Sequence, residues 1–461
     1  MTDTKEEELK EELNYAIIGG GVLGMTTALR LAQKGHRVTL FEASPQLGGL
    51  ADAWTLGDVT WDRHYHVTLL SDSYTRKILK ELDLDDDMEW VETRTSFFTD
   101  GQLHSMSSSL EFLRFKPLSL LSKFRLGLTI FAGSRIKNWR KLEGMLVGDW
   151  LQKWSGKKTF EKIWKPLLRS KLGDNYKKTS AAFIWATIAR LYAARRTGLK
   201  KEMFGYLPGG YGRMLEQFEK HLVDAGVDIR LNQSIESVSH KGGRVFIESS
   251  NKQSEAFDQA VLTVPSRVVP KLLPQLAKEE AAKHTAIEYQ GIVCVSMLLK
   301  KSLADFYVTN ITDGNVPFTG VIEMSALVDK SEFDGKALVY LPYYVPEGHA
   351  AFDWTDDEIL EQSLLGLESM YPNFSRDDLV AFRASRVRSV MAISTLNYSQ
   401  HLPPSQTSVP GVHVVNSAQI VNGTLNVNET IKLAESAIPE LLRAALESSA
   451  IQTPREEVQH V

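Results

Sequence analysis

The sequence predicts an α/β fold in which a parallel sheet forms one region and a mixture of helices with a second sheet forms another. Three observations support this prediction. The segment from Asn14 to Glu42 runs through a strand, a glycine-rich turn, a helix and a second strand. Residues 110–204 show helical patterns separated by glycines, and the segments from Gly291 onward are rich in β-branched and aromatic residues. At 461 residues the chain is too long for one compact core, so we expect two or three domains.

The first strand is the apolar run Tyr15 to Ile18, and it leads directly into a G-x-G-x-x-G turn. A helix follows, and a second strand, Arg37 to Phe41, ends at an acid. Such glycines allow a tight turn and close approach of a pyrophosphate, which meets the free N–H groups of the helix, while the acid accepts bonds from ribose hydroxyls. The alternative is an ordinary glycine-rich βαβ turn. We predict that a dinucleotide is bound by Gly19, Gly20, Gly21, Val22, Leu23, Gly24, Glu42 and Ala43.

Composition excludes several classes of protein. The content of 43% hydrophobic and 24% charged residues is that of a globular protein. The single cysteine, Cys294, excludes an internal disulfide and a cysteine-based metal site, and it fits a reducing compartment. We predict no metal site. No apolar run is long enough to span a bilayer, and the acidic opening lacks the features of a signal peptide. We therefore expect a cytoplasmic protein that, if it contacts a membrane, lies on its surface.

The net charge of −4 conceals a strong asymmetry along the chain. Residues 110–202 contain 22 Lys and Arg against six Asp and Glu, a balance of +16 that leaves −20 for the rest. Five of the nine tryptophans lie in the same stretch. Three explanations stay open: solvated helix faces over a tryptophan-rich core, an anionic small-molecule substrate, or peripheral contact with an anionic membrane. No recognised nucleic-acid-binding module accompanies the charge, so we expect no nucleic-acid partner.

A second glycine pair, Gly48 and Gly49, follows Glu42 in the spacing E-x-x-x-x-x-G-G. With the first glycine motif, this run resembles the flavin-containing amine oxidase and protoporphyrinogen oxidase superfamily, in which both elements bind FAD. The residue after the pair is often Arg in that superfamily, whereas Leu50 here resembles the squalene and carotenoid desaturase branch. The resemblance adds Gly48, Gly49 and Leu50 to the expected FAD ligands. It also implies non-covalent binding, because the usual cysteine near the C-terminal motif is absent.

The motif Trp61 to His66, W-D-R-H-Y-H, resembles the segment of that branch at the flavin edge. Histidines two apart on an extended segment point the same way, and no third metal ligand is evident. We predict that His66 lies near the flavin ring, with His64 as the second choice; the alternative is two ordinary polar loop histidines. Tyr344, near the end of the predicted second sheet, is the third catalytic candidate.

The rest of the chain carries further resemblances. Trp164 to Leu168 matches a W-x-P-L-L landmark of the substrate domain, and Lys171 to Gly173 a K-x-G landmark. Ile235 aligns with the residue whose backbone contacts adenine. The segment from Asn416 to Glu429 resembles the final turn and helix start that face the flavin, although the usual G-D is replaced. From this segment the resemblance assigns Asn416, Asn426 and Val427 to FAD binding.

The resemblance implies a Rossmann-like FAD-binding domain of the glutathione-reductase type with an inserted α+β substrate domain. We predict a discontinuous FAD-binding domain over residues 14–100, 205–290 and 385–448, and a substrate domain over 101–204 and 291–384. Residues 1–13 are expected to be a disordered tail and residues 449–461 a flexible one.

Three functions follow from the resemblance. The first is an FAD-dependent oxidoreductase that takes a hydride from an organic substrate, anionic or lipid-like. The second is a flavin-dependent non-redox mutase that resembles UDP-galactopyranose mutase, and the third is an FAD-binding protein without catalysis. Amine oxidases of the superfamily carry a Lys on a strand after a Gly, but the strand from Gly291 has none before Lys300. We therefore favour oxidation of the dehydrogenase or desaturase type.

Overall fold

A computed structural model describes residues 12–195, 203–421 and 424–452. The strands in these ranges belong to five sheets. In chain order they are β1 (Asn14–Ile18), β2 (Arg37–Phe41), β3 (Ala53–Leu56), β4 (Val59–Asp62), β5 (Thr68–Leu69), β6 (Glu89–Glu92), β7 (Thr95–Thr99), β8 (Gln102–Ser105), β9 (Met203–Tyr206), β10 (Asp228–Arg230), β11 (Ile235–Lys241), β12 (Arg244–Ser249), β13 (Ser254–Phe257), β14 (Gln259–Leu262), β15 (Tyr289–Leu299), β16 (Val308–Ile311), β17 (Gly320–Glu323), β18 (Ala337–Pro346), β19 (Leu379–Ala392) and β20 (Val412–Val414).

The helices lie between these strands and are joined by short 3₁₀ turns. A π-helical turn, Phe160–Trp164, separates the seventh helix from the eighth. The α-helices are α1 (Val22–Gln33), α2 (Ser73–Glu81), α3 (Ser109–Arg114), α4 (Leu120–Arg135), α5 (Arg140–Glu143), α6 (Val147–Ser155), α7 (Lys157–Thr159), α8 (Lys165–Leu172), α9 (Ala181–Arg195), α10 (Gly210–Asp224), α11 (Val269–Leu272), α12 (Lys278–Ala286), α13 (Asp356–Met370), α14 (Tyr398–His401) and α15 (Val427–Gln452).

A five-stranded parallel sheet in the order β10-β2-β1-β14-β20 forms the centre of the first region. Ile17 of β1 lies between Leu40 of β2 and Val261 of β14, and all three side chains are fully buried. Strands covered on both faces need such continuous apolar runs. The predicted α/β class and the strand–turn–helix–strand unit are confirmed, and the carboxyl ends of these strands meet where the glycine turn lies.

A second, antiparallel sheet of three strands, β11-β12-β13, packs against this region. Gly242 and Gly243 lie in the turn between β11 and β12 at positive φ. The third strand, β13, is a short and mostly polar segment, Ser254 to Phe257.

The second region is built on a seven-stranded sheet in the order β19-β15-β18-β17-β16-β7-β8. Its long strand β15, second from one edge, is buried throughout and is covered by α13. The predicted domain boundaries at 100/101 and 384/385 both cut this sheet, because β7 precedes the first boundary and β19 crosses the second. A division that follows the sheet therefore lies near residues 94 and 393.

The basic stretch forms helices α3 to α9 around a separate apolar core that includes Trp150 and Trp164. Three of the glycines predicted to end its helices do so: Gly144, Gly156 and Gly173 are the C-caps of α5, α6 and α8. The fourth, Gly198, lies outside the described residues. Among the helices that the structure describes, none is long and apolar enough to cross a membrane.

The last helix, α15, lies against α1 and buries Ile431, Ala434 and Leu441 in the core of the first region. It runs to Gln452, beyond residue 448, where the predicted FAD-binding domain ends. Residues 449–452 therefore continue a helix instead of beginning the predicted flexible tail. Most of the predicted N-terminal tail, residues 1–11, and residues 453–461 lie outside the described ranges.

Candidate cofactor and active site

The first glycine turn leads into α1 with the geometry of a phosphate cradle. Gly19 has φ +112°, and its N–H donates to the Phe41 carbonyl at 2.9 Å. A Cβ on Gly24 would collide with the Gly19 carbonyl oxygen, so the turn requires glycine there. Gly21 is the N-cap of α1, and no heavy atom lies within 4 Å of the position that its Cβ would take. The first turn of α1 has neither a side-chain cap nor an acid, so its free N–H groups suit an anion in this open space.

The second glycine turn packs directly onto the first. The Gly48 N–H donates to the Gly20 carbonyl at 2.9 Å, and Gly21 and Gly48 form a parallel bridge. A Cβ on Gly49 would lie 3.2 Å from the Gly21 Cα. The two glycine pairs are therefore parts of one backbone cradle, as the sequence spacing predicts. Val22 and Leu23, also predicted ligands, bury their side chains in the core and leave only backbone groups toward this cradle.

Glu42 stands at the end of β2, where the ribose-binding acid was predicted. One carboxylate oxygen accepts the Gly20 N–H at 2.7 Å and the other accepts the Ser44 N–H at 2.8 Å. The Glu42 side chain therefore also holds the glycine turn against the strand end, a role that spacing alone did not reveal. The next residue, Ala43, is exposed beside it.

The predicted adenine-side residue lies near Glu42. The N–H of Gln233 donates to the Glu42 carbonyl at 2.8 Å, and the N–H of Asn232 donates to the Ser44 carbonyl at 3.0 Å. Ile235 follows at the start of β11, with only 9% of its surface exposed. The structure thus brings the 42–44 and 232–235 segments together beside the cradle, as an adenosine site requires.

His64 is held by two elements of the site and is only 9% exposed. Its Nδ1 lies 3.3 Å from the Leu50 carbonyl and its Nε2 lies 3.1 Å from the Ser385 hydroxyl. Burial, with a smaller contribution from the nearby His66, lowers the pKa of His64 to about 3. The imidazole is therefore neutral at physiological pH and acts as a hydrogen-bonding link between Leu50 and β19.

His66 contacts different residues from His64. Its ring stacks on Tyr211 with centroids 4.9 Å apart, and its Nδ1 lies 3.4 Å from Asp62. The sequence interpretation assumed an extended segment on which both histidines point the same way, but the chain bends at residues 63 and 64. The two imidazoles consequently share no hydrogen-bond partner among the described residues. Their predicted roles at the flavin stay predictions.

Arg63, in the same motif, was not predicted as a site residue. Its guanidinium donates to the Gly49 carbonyl at 3.1 Å and forms an ion pair with Asp52. It thus brings a positive charge to the glycine pair, where Leu50 replaces the frequent Arg. The signal was available, because an Arg stands in the W-D-R-H-Y-H motif. The buried Arg63 Nε, next to the cradle, has no hydrogen-bond partner in the described structure, which fits a site shaped for a polar group.

Tyr344 meets the histidine motif from β18. Its hydroxyl is 2.9 Å from that of Tyr65, whose pKa is raised well above the ordinary value by burial and by Tyr344. Both phenols therefore face each other with Tyr65 protonated. The ammonium group of Lys171, from the K-x-G landmark, lies 5.6 Å from the Tyr344 ring centroid. Two hydroxyls, from Tyr65 and Tyr344, and one cation, from Lys171, thus lie beside the predicted flavin-edge segment.

The C-terminal residues predicted to contact the cofactor lie at the turn after β20. Asn416 is 1% exposed, donates to the Val264 carbonyl and Ser266 hydroxyl, and accepts the Ala418 N–H. Its side chain joins the ends of β14 and β20. Asn426 caps α15, because its Oδ1 accepts the Glu429 N–H at 3.0 Å, and Val427 begins that helix. The first turn of α15 also contains the acid Glu429, so the start of this helix already has a negative charge beside it.

The cradle is distinct from the cavity of about 420 Å³ beside α15. That cavity is lined by Leu402, Pro404 and Leu433 among others, and by none of the residues predicted to bind the cofactor. No cluster of His, Cys, Asp and Glu in the described residues could hold a metal ion. Cys294 is fully buried in β15, and burial raises the pKa of its thiol.

The parallel sheet, the paired glycine turns and the acid after β2 define a dinucleotide-binding oxidoreductase fold. A sequence profile of the flavin containing amine oxidoreductase family matches residues 24–427. The chain belongs to this family, and FAD is the cofactor that the family implies. The predicted FAD-dependent oxidoreductase class is confirmed at this level.

Individual relatives agree with the family. The 15-cis-phytoene desaturase of Capsicum annuum is 22% identical over 402 residues, covering 78% of this chain and 65% of that protein. A zeta-carotene desaturase of Synechocystis sp. is 22% identical over 257 residues, covering 50% of this chain and 51% of that protein. The chain thus spans less than two thirds of these desaturases.

Solved structures share the fold at low identity. A protein described as a protoporphyrinogen oxidase, from Exiguobacterium sp. 255-15, superposes with a TM-score of 0.74 at 18% identity, covering 94% of this chain and 99% of that one. Reduced UDP-galactopyranose mutase superposes with a TM-score of 0.72 at 15% identity, covering 96% of each chain. Fold similarity therefore extends to both of the enzyme classes that the sequence suggested.

Proposed function

We propose that the protein is an FAD-dependent oxidoreductase of the dehydrogenase or desaturase type, which takes a hydride from a C–H bond of an anionic or lipid-like organic substrate. The observation that carries this proposal is the paired glycine cradle with open space above Gly21, next to the uncapped start of α1. When bound, FAD supplies the electron acceptor for the hydride. Similarity to carotenoid desaturases supports oxidation of a C–H bond.

The chain's own residues support this chemistry in three ways. The cradle residues and Glu42 bind and orient the adenosine diphosphate part. His64 is neutral and donates or accepts hydrogen bonds without changing charge at physiological pH. The Tyr65 and Tyr344 hydroxyls, with Lys171, provide groups that can hold the polar end of a substrate.

Oxidation of amines is less well supported. The strand β15, from Tyr289 to Leu299, contains no lysine, and Lys300 follows its last residue, where its N–H donates to the Asp378 carbonyl. No ammonium group on this strand is therefore available to hold a water at the flavin. We propose that the substrate is a carbon skeleton without a reacting amine.

Part of the positive charge between residues 110 and 202 is neutralised by acids elsewhere in the chain. Arg190 pairs with the buried Asp72, Lys162 with Asp100 and Lys178 with Glu288. Other cations of this stretch are exposed and form no ion pair among the described residues: Arg114, Lys116, Lys137, Lys141, Lys153, Lys157 and Lys158. We propose that this remaining charge attracts an anionic substrate or an anionic membrane surface.

The absorption spectrum of the purified protein is the first test. We expect the bands of oxidised flavin, and anaerobic bleaching by an apolar polyene or by an anionic lipid-like substrate. A Michaelis constant that rises steeply with salt at constant flavin content would support an anionic substrate. Colourless protein that resists reconstitution with FAD would refute the proposal.

A second candidate is a flavin-dependent non-redox mutase. The similarity of the fold to reduced UDP-galactopyranose mutase favours it, together with the excess of basic residues that a sugar nucleotide would require. The two functions differ in their dependence on reductant. A mutase would isomerise a sugar nucleotide only after reduction by dithionite, whereas the proposed oxidoreductase would reduce its own flavin with substrate.

A further inference from the structure

Helix α4 (Leu120–Arg135) has the reverse of the usual arrangement of apolar residues. The side that faces the protein carries Ser122, Lys123, Thr129 and Gly133, with Leu126 as its one large apolar residue. The side that faces solvent carries five large apolar side chains, each between 42% and 74% exposed: Leu120, Leu121, Phe124, Leu128 and Phe131. A surface helix normally buries its apolar stripe, so this helix lacks a partner on its outer side.

The preceding helix extends the same surface. Leu110 and Leu113 of α3 are 55% and 56% exposed. Seven of the fourteen large apolar residues that are exposed in the described structure therefore lie within residues 110–131. We call these seven residues the apolar face: Leu110, Leu113, Leu120, Leu121, Phe124, Leu128 and Phe131. Their concentration in so short a segment separates them from the single exposed apolar residues that are normal on any surface.

Basic residues surround the apolar face. Residues 110–141 contain eight Lys and Arg and one acid. Because Lys123 is buried, seven of these cations remain at or near the surface. The single acid, Glu111, accepts the N–H groups of Ser107 and Ser108 as part of the capping box of α3. Arg135 lies over the Phe131 ring at 4.8 Å, so a guanidinium adjoins the apolar face directly. A surface of this composition matches the apolar interior and anionic headgroups of a lipid bilayer.

We propose that the apolar face inserts into the surface of an anionic membrane, with the surrounding cations at the headgroups. A second copy of the chain is a poor alternative, because a symmetric dimer would place one strongly basic surface against another. The protein would lie on the bilayer, since none of the described helices can span one. This inference deepens the proposed function and rests on it only where it concerns a lipid-like substrate.

The inner side of α4 connects the apolar face with the second region. Leu126 belongs to an apolar cluster that also contains Phe97 of β7 and Ile393, which follows β19. Strand β19 carries Ser385, the hydrogen-bond partner of His64, and pairs with β15 beside Tyr344. The helices around α4 would thus lie between the membrane surface and the candidate active site. This arrangement suits a substrate drawn from the lipid phase.

Vesicle sedimentation of the flavin-loaded protein tests the proposal. Wild type should sediment with phosphatidylglycerol-containing vesicles but not with pure phosphatidylcholine vesicles. The double variant Phe124→Glu/Leu128→Glu should lower the partition constant about tenfold or more, because it removes two apolar contacts and adds repulsion from the headgroups. The double variant Val223→Glu/Leu365→Glu is the matched control, since both residues are exposed apolar residues outside the apolar face.

Three results would overturn the proposal: equal binding of wild type to both vesicles, no binding to either, or equal binding by the Phe124→Glu/Leu128→Glu variant. A dimer that only this variant dissociates, measured by sedimentation velocity, would instead identify a self-association surface and also overturn it. Flavin content and reduction of the flavin by dithionite, measured in the same samples without vesicles, show that each variant is folded. Absence of flavin from wild type would count against the proposed function. Absence of vesicle binding by flavin-containing wild type would count only against this inference.

Discussion

The open space above Gly21 gives the sharpest test of the cofactor site. Gly21 has φ −70° and ψ 171°, a conformation that any residue adopts, and its missing Cβ would contact no protein atom. The substitution Gly21→Val should therefore leave the fold intact while placing a side chain where we propose that the pyrophosphate binds. Three residues further on, Gly24→Ala would force a Cβ onto the Gly19 carbonyl oxygen. Gly21→Val therefore tests the space for the cofactor, whereas Gly24→Ala tests the packing of the protein itself.

The two substitutions should affect different quantities: Gly21→Val mainly the affinity for FAD, and Gly24→Ala mainly the free energy of unfolding. Gly21→Val should cost about 0.5–1 kcal/mol of stability, because valine is a poorer N-cap than glycine. If it displaces two charge-assisted N–H bonds to phosphate, each about 1.5–3 kcal/mol, FAD affinity should fall by roughly two to four orders of magnitude. Gly24→Ala should lower the free energy of unfolding by about 1–3 kcal/mol through overpacking. Any loss of FAD affinity in Gly24→Ala should result from distortion of the glycine turn.

The assay compares FAD titration, followed by quenching of flavin fluorescence, with denaturant unfolding of the cofactor-free protein. Gly21→Val should give colourless protein that unfolds nearly as wild type does. Gly24→Ala should be destabilised whether or not FAD is present. If Gly21→Val retains wild-type affinity for FAD, the space above Gly21 does not hold the pyrophosphate and the site is misassigned.

Three further predictions concern the cofactor and pH. Glu42→Gln should weaken FAD by roughly one to two orders of magnitude, because a charge-assisted bond to ribose is worth about 1.5–3 kcal/mol; an unchanged dissociation constant in the same titration would contradict the ribose role. Acid precipitation should leave the yellow colour in the supernatant, since Cys294 is buried in β15; colour in the pellet would indicate a covalent link through His64 or His66. Burial raises the pKa of Glu323 from 4.5 to about 7, so the folded state binds this proton more tightly than the unfolded state. Glu323 should therefore stabilise the protein fully below pH 4.5 and lose up to about 3 kcal/mol of that contribution as the pH rises through 7; denaturant unfolding at pH 5 and pH 8 should show this loss in wild type but not in Glu323→Gln.

Local patterns predicted the elements that position the cofactor. The βαβ unit from Asn14 to Glu42 could be interpreted because strand, glycines, helix and acid each have a separate physical signal. Helix α13 likewise begins at a local signal, because Thr355 and Glu358 form a capping box at its start. The location of the C-terminal turn, though not its side-chain contacts, followed from the family resemblance.

Other features depend on contacts between distant segments and could not be predicted. The sheet β5-β9-β6 joins residues near 68, 90 and 204, and no local pattern specifies that pairing. Strand β17 ends at Glu323, whose carboxylate accepts the N–H groups of Leu303 and Ala304, and such contacts to a separate segment leave no local pattern in the sequence. The apolar face was hidden for a similar reason, because periodicity shows that a helix has two sides but not which one is buried.

The strand order of the parallel sheet has a consequence for biosynthesis. Strands β1 and β2 leave the ribosome first, but their neighbour β14 begins at Gln259 and the outer strand β20 at Val412. Until those segments emerge, β1 has no partner on one side and exposes backbone groups that can pair with other chains. The glycine cradle is therefore translated early, but the sheet that supports it is complete only after β14 and β20 have been translated. Folding should be slow and reliant on chaperones, and FAD should associate only near the end of synthesis.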